Sequence, residues 1–232
     1  MIFNKLIYII VFCSLVNISE GFSNDNMPVL LDSIKNKYLS VNDYQADITV
    51  EIDVDFINIP DKHARVFFKQ PDKISYKTDG FILIPKKGID FNITHILGME
   101  YNALSVGKEP IGNTGTEVIK IIPLQAESEL ILATIWLDKL NMQVMQLEVN
   151  SKASGSFKMR FFYNTIKDIL PGKIEVTFGL SQFNVPFEFL FNSESQLFKK
   201  KDKTETTTGK VTVHYSNYII NSGLPDSIFE KR

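Results

Sequence analysis

Polar and apolar residues alternate almost without error from Tyr44 to Ile57. Ala46, Ile48, Val50, Ile52, Val54 and Phe56 fall on one side, and Gln45, Asp47, Thr49, Glu51, Asp53 and Asp55 on the other. A side-chain period of two is the mark of a strand with one buried face. At ~3.3 Å per residue this strand would be ~45 Å long, against a usual ~5–6 residues, and strands of that length belong to strongly curved sheets or barrel walls. Ahead of it, Pro28 suits the first helical position behind Asn26 as a cap, and Leu30, Leu31, Ile34 and Tyr38 share one face, so a helix ending near Val41 is predicted. Behind it come strands over residues 63–69 and 73–77, separated by a turn at Pro71 and Asp72, and a short apolar strand over 81–85. Ile93, Ile96, Leu97, Tyr101 and Leu104 then carry helical spacing, interrupted by Gly98 and ending by Gly107. A loop at 112–115 leads to a strand over 117–122 stopped by Pro123.

The second half repeats the meander. Strands are predicted over 130–137, 143–149, 157–163 and 173–178, with turns at 138–141, around 153–155 and at Pro171 and Gly172. Phe187, Phe189 and Phe191 alternate after Pro186, and a polar loop over 199–209 precedes a last strand over 210–215. Roughly ten strands and two helices paired neighbour to neighbour predict a mainly β fold with an antiparallel sheet and no βαβ units. Many inward positions are aromatic, among them Phe68, Tyr76, Phe157, Phe161, Tyr163, Phe178 and the phenylalanines after Pro186. They either pack on the helices to fill a core, the common fate of such residues, or line an apolar cavity between sheet and helices. Physics alone favours the filled core.

The first residues read as an export signal. Lys5 is the only charge in a short start, and an apolar run from Leu6 to Val16 is broken only by Ser14. Small residues one and three places before Phe22 predict cleavage after Gly21, with Ser23 as the second choice. The run of about 11 residues falls short of the ~20 a membrane helix needs. Residues 1–21 are thus expected to be a signal peptide and 22–232 a single domain. Cys13, the only cysteine, sits behind Phe12 where a lipidation motif wants a small residue, so it reads as filler, with lipidation the minority alternative. A mature chain without cysteine has no disulfide and no thiolate nucleophile.

Composition changes this picture little: 44% hydrophobic and 22% charged residues are ordinary, while 18 Phe is a high count. About 210 mature residues can bury roughly 70% of their unfolded surface without staples. A net charge of −2 with no basic stripe leaves no electrostatic footprint for nucleic acid.

Several strings carry a resemblance. The leading helix, the long strand from Tyr44, the run Phe68, Lys69, Gln70, Pro71, Asp72, Lys73, Ile74 with Tyr76, and Ile135, Trp136, Leu137, Asp138 followed by Val144 to Leu147 are joined by the closing Gly223, Leu224, Pro225, Asp226, Ser227, Ile228, Phe229. Together they span nearly the whole mature chain, the last string being the most specific, and the chain resembles the outer-membrane lipoprotein carriers, the LolA and LolB-like proteins. The resemblance implies a strongly curved, unclosed antiparallel β-barrel covered by helices, an apolar interior for lipid acyl chains or lipoproteins, a periplasmic home, and inner-membrane donor or outer-membrane acceptor proteins as partners. The closest carriers have an arginine beside the proline of the second hairpin; this chain aligns Gln70 there, which favours a broader lipid-binding or sensing role over strict lipoprotein shuttling. The expected cavity residues are Ile48, Val50, Ile52, Phe68, Tyr76, Ile96, Leu97, Tyr101, Phe157, Phe161, Phe178 and Phe189, the segment from Ile93 to Leu104 acting as a lid. The alternative function is a regulatory sensor or assembly partner that recognises a protein with the same half-barrel.

Catalytic chemistry finds no constellation. His63, His95 and His214 lack metal-ligand spacing. Glu51, Asp53 and Asp55 stack on a strand that runs on without the turn a calcium loop needs, and read as a solvated outer face. Ser105 to Lys108 matches S-x-x-K without its partner motifs, Gly112 to Gly115 lacks a phosphate-loop ending, and Asn92 to Thr94 is a glycosylation sequon only by pattern. The expectation is a binder without cofactor, metal or catalytic residues; a hydrolase is the remote third reading.

Overall fold

The computed structural model describes residues 26–54, 57–58, 60–78, 93–152, 155–179 and 208–230. The long alternating stretch forms β1 (Asp43–Val54), followed by the two-residue β2 (Ile57–Asn58), then β3 (Lys62–Lys69) and β4 (Lys73–Lys77). After these come β5 (Tyr101–Ile111), β6 (Thr114–Pro123), β7 (Leu130–Asp138), β8 (Gln143–Ser151), β9 (Gly155–Phe162), β10 (Lys173–Gly179) and β11 (Thr208–Ile220). Two helices, α1 (Met27–Leu39) and α2 (Ile93–Ile96), precede β1 and β5. The strands form one curved, unclosed antiparallel sheet in the order β4-β3-β1-β11-β10-β9-β8-β7-β6-β5, with β2 paired to β1. Neighbours in the sheet are neighbours in the chain except at one seam, where the last strand inserts beside the first and joins β4-β3-β1 to the rest.

Pro28 stands in the first turn of α1 as its fixed φ favours, although Asn26 makes no side-chain capping bond. Met27, Leu31 and Ile34 are the buried stripe, with Leu30 and Tyr38 partly covered. This stripe packs with Ile93, Ile96 and Leu97 against Ile119, Ile121, Ile135, Leu137, Val144, Leu147 and Val149 of β6, β7 and β8. The helix runs across the sheet because its one apolar face meets a sheet face that is apolar at every second residue.

The long helix expected from Ile93 to Leu104 is not formed. α2 is one turn, and Gly98 lies where an added Cβ would come within 2.9 Å of the Thr94 carbonyl oxygen. Tyr101 and Leu104, which helical spacing would place together, sit on opposite faces of β5: Tyr101 packs on the core while Leu104 is 52% exposed. Residues 101–106 satisfy a period of two as well as helical spacing, and pairing with β6 along the whole of β5 satisfies the backbone groups that face it, β5 being the edge of the sheet. Gly107, at φ +132°, takes up the bulge in that pairing. The strand expected from Tyr44 to Ile57 ends at Val54, and Ile57 and Asn58 pair back on it antiparallel as β2. The other predicted strands within the described residues appear with ends shifted by a few residues, and β11 continues to Ile220. The predicted strand over 81–85, Phe187 to Phe191 and the signal segment lie outside the described residues.

The closing string folds onto the β3–β4 end of the sheet. Lys69 donates to the Leu224 carbonyl (2.8 Å) and pairs with Asp226 (2.7 Å), and Lys73 approaches the other Asp226 oxygen (3.2 Å). The hydrogen bond from Lys69, then that from Lys73, holds the Asp226 carboxyl below its ordinary value of 3.8. A depressed carboxyl stabilises the fold above its unfolded value and stops doing so as pH falls through the folded one. Amide protection factors over residues 223–229, taken against the intrinsic exchange rate at each pH, are therefore expected to fall as pH drops below about 4. The acid-dependent step should vanish in Lys69→Ala/Lys73→Ala, and its survival there would remove this account.

Candidate functional site

The strand register assigns every side chain a face. On the helix-covered, concave face stand Tyr44, Ala46, Ile48, Val50 and Ile52 of β1, opposite Phe68, Val66, Ala64 and Lys62 of β3 and, on the other side, Tyr215, Val213 and Val211 of β11. The same face continues through Ile74 and Tyr76 of β4, Ile174, Val176 and Phe178 of β10, and Phe157, Met159 and Phe161 of β9. Lys62, at the start of β3, is the one charged residue that the register places on this face among the described residues of these six strands. The charges of these strands lie outside, in pairs such as Arg65 with Asp47 (2.7 Å), Lys173 with Glu175 (2.8 Å) and Lys210 with Asp53 (3.6 Å). The hydrogen bond from Arg65, aided by Asn217, holds the Asp47 carboxyl below the usual range, and Lys173 does the same for Glu175.

Two apolar clusters share the concave face. One lies under α1 and α2. The other gathers Ala46, Ile48, Val50 and Val66, flanked by the partly buried Ile52, Ala64, Tyr76, Val211 and Val213. Between their buried parts, Ile174, Val176, Phe178, Phe161, Val211 and Val213 are only half covered by protein. These residues form an apolar strip that is partly rather than fully buried.

The expected cavity residues divide over this layout. Ile96, Leu97 and Phe157 are buried at 0%, 2% and 3% exposure within the helix-covered cluster, and Tyr101, Phe161 and Phe178 pack against it. Ile48 and Val50 are buried in the second cluster, which Ile52 and Tyr76 flank. Phe68 stacks on Tyr44 at 5.2 Å between ring centres. Phe189 lies outside the described residues. The reading of the sequence did not single out Val176, Val211, Val213, Tyr44, Tyr215 or Tyr218 for the site. Alternation along 173–178 and 211–215 contained the signal for most of them, whereas Tyr218 follows a bulge that breaks it.

Gln70 has a structural task. Its amide nitrogen donates to the carbonyls of Leu39 (2.9 Å) and Val41 (2.7 Å), so it satisfies carbonyls at the end of α1 and ties the helix to the β3–β4 turn. Glu51 and Asp53 are on the outer face as expected. An open groove of about 850 Å³ also runs along the β1, β3 and β4 region, bordered by Asp47, Thr49, His63, Arg65 and Lys77. The register puts those five residues on the outer face, away from the apolar strip. Among the described residues no group of three His, Cys, Asp or Glu side chains could hold a metal ion.

No family model matches the sequence, and neither does any curated protein. Solved structures do match. A DUF1329 family protein from Desulfovibrio piger superposes with a TM-score of 0.57 at 11% identity, over 89% of this chain and 96% of that one. A domain named for outer-membrane lipoprotein sorting, from Vibrio parahaemolyticus, gives 0.57 at 12% identity, over 87% and 95%. A LolA superfamily protein from Nitrosomonas europaea gives 0.50 at 13% identity, over 87% and 97%. The fold is therefore LolA-like: an unclosed antiparallel half-barrel with helices on its concave face. The likeness read from short strings of sequence extends over most of the chain at the level of architecture.

Proposed function

We propose that this chain is an exported, non-catalytic binder of lipid acyl chains, held as a single domain in the periplasm after cleavage of residues 1–21. One observation carries the reading: the partly exposed, uncharged strip formed by β9, β10 and β11 beside β1, which includes the predicted cavity residues Phe161 and Phe178 and is flanked by Ile52. Covering such a strip with hydrocarbon gains about 25 cal/mol per Å² and requires no cofactor. The name of the Vibrio parahaemolyticus domain supports outer-membrane lipoprotein sorting as the setting. The partners proposed for that setting are an inner-membrane donor and an outer-membrane acceptor. Gln70, committed to the end of α1, leaves the cargo open to other acylated lipids.

Mass spectrometry of lipids extracted from the protein purified out of envelope fractions is expected to find acylated molecules at near-equimolar amounts. A lipid-free protein that also rejects fluorescent acyl probes would overturn the proposal.

A second reading rests on a different feature. Leu104 and Ile122, 52% and 48% exposed, share the outer face of β5 and β6, with Val106 and Leu124 exposed nearby. An apolar patch beside a sheet edge suits recognition of a protein, as a sensor or assembly partner would need. One stoichiometric protein partner, captured without lipid, would favour it.

A further inference from the structure

Among the described residues of β1, β3, β4, β9, β10 and β11, the concave face is apolar apart from Lys62 and one cluster of phenols. Tyr44 opens β1 on this face, stacked on Phe68 and edge-on to Tyr218 at 5.6 Å. Tyr215 lies parallel to Tyr218, with ring centres 5.7 Å apart and planes 8° from coplanar. Most other tyrosine hydroxyls nearby are occupied: Tyr218 donates to the Pro171 carbonyl (3.0 Å), while Tyr163 donates to the Val144 carbonyl (3.1 Å) and shares a bond with Tyr38 (2.8 Å). The hydroxyls of Tyr44 and Tyr215 have no hydrogen-bond partner among the described residues. Neither hydroxyl is among the fully buried unpaired polar atoms, and a half-buried donor on an apolar surface is ready for an acceptor that arrives with a ligand.

Resting on the reading of this face as an acyl-chain site, we propose that the hydroxyls of Tyr44 and Tyr215 anchor the polar end of the ligand. They would donate hydrogen bonds to the ester or amide carbonyl oxygen where an acyl chain joins its headgroup. The donors suit a neutral acceptor. Burial, reinforced by Tyr76 at both and by Tyr44 at Tyr215, pushes both phenols up, so they stay protonated through the physiological range. Arg65, Lys69, Lys73 and Lys77 of the hairpin belong to the outer face, and Lys62, the one cation of these strands on the concave face, stands opposite Val50 at the other end of the β1–β3 ladder from Tyr44. Among the described residues of these strands, therefore, no cation stands beside Tyr44 to match a phosphate or carboxylate. The apolar strip then takes the chain, and the tyrosines fix where along the strip the chain begins. This gives the site a direction, with the headgroup at the β3–β1 end beside the closing string.

The test is competition of methyl palmitate and of heptadecane, an alkane of similar length, against a fluorescent acyl probe on the full chain. Tyr44→Phe and Tyr215→Phe keep the ring stacks and remove only the donors. Each single variant is expected to weaken ester binding about fivefold and the double variant about twentyfold, with alkane binding unchanged. Unchanged ester affinity in the double variant overturns the anchor. So does an equal loss for both competitors, which would mean a damaged site rather than a missing donor. If the unmodified protein binds neither competitor nor probe, the acyl-chain reading itself falls and takes the anchor with it.

Discussion

Replacing Val176 by aspartate is expected to weaken acyl-chain binding by about 100-fold or more while leaving the sheet assembled. Val176 stands in the middle of β10 on the concave face, opposite Met159 on one side and Val211 on the other. It is half-buried, so the free protein can keep the new carboxylate hydrated. A bound chain would strip that water away, and no cation of the register faces the position to replace it. The penalty therefore falls mainly on the complex. Its signature is a pH dependence: burial under the ligand raises the carboxyl's pKa in the complex above that in the free protein, so affinity returns as pH falls through the two values. Val176→Asn, which cannot be neutralised, should show a smaller loss and no recovery in acid. Titration of a fluorescent acyl probe between about pH 4 and 8 reads all three proteins. Wild-type affinity in Val176→Asp would remove the strip from the binding site.

Much of the fold was legible because the chemistry is local. Alternation over β1, the apolar stripe of α1 and the turns at Pro71, at 138–141 and at Pro171 each sit within a few residues of one another, and the elements formed where they point. β5 was misread because Tyr101, Leu104 and their neighbours satisfy two periods at once, and only the presence of β6 decides between them. The end of β11 was missed because the bulge around Asn217, a residue at φ +53°, breaks the alternation before Tyr218. The seam between β1 and β11 joins segments more than 150 residues apart, a pairing that no local pattern encodes. For the candidate site, parity put the expected strand residues on one face. It could not tell that Ile96, Leu97 and Phe157 would be closed over by α1 while the face of β10 and β11 stayed half covered. That difference depends on where a helix lands. Gln70 shows the same limit, since its role comes from the end of α1 meeting the turn.

Asp43→Ala is expected to destabilise the protein by about 3 kcal/mol, measured by urea unfolding. Asp43 is 4% exposed, and its carboxylate accepts the backbone N–H of Ser222 (2.9 Å), the Ser222 hydroxyl (3.2 Å) and the backbone N–H of Gly223 (3.0 Å). Hydrogen bonds to a charged acceptor are the stronger kind, and alanine would leave both backbone donors without their partner. The position magnifies the effect because it closes the seam on which the half-barrel depends. Asn221 donates its backbone N–H to the Asp43 carbonyl (2.8 Å), accepts from the Asn42 N–H (2.7 Å) and donates its side-chain amide to the Ser40 carbonyl (2.8 Å). The end of α1, the start of β1 and the end of β11 are thus tied at one point, across nearly the full length of the described chain. Holding such distant segments together offsets a loop-closure entropy that local contacts never meet. Asp43→Asn, which retains one acceptor oxygen, should cost about half as much. Amide exchange at Ser222 and Gly223 should quicken in both variants before the rest of β11 follows, because the clasp opens first. A loss below about 0.5 kcal/mol in Asp43→Ala would mean that the β1–β11 ladder alone holds the seam, and that the carboxylate merely occupies a place beside it.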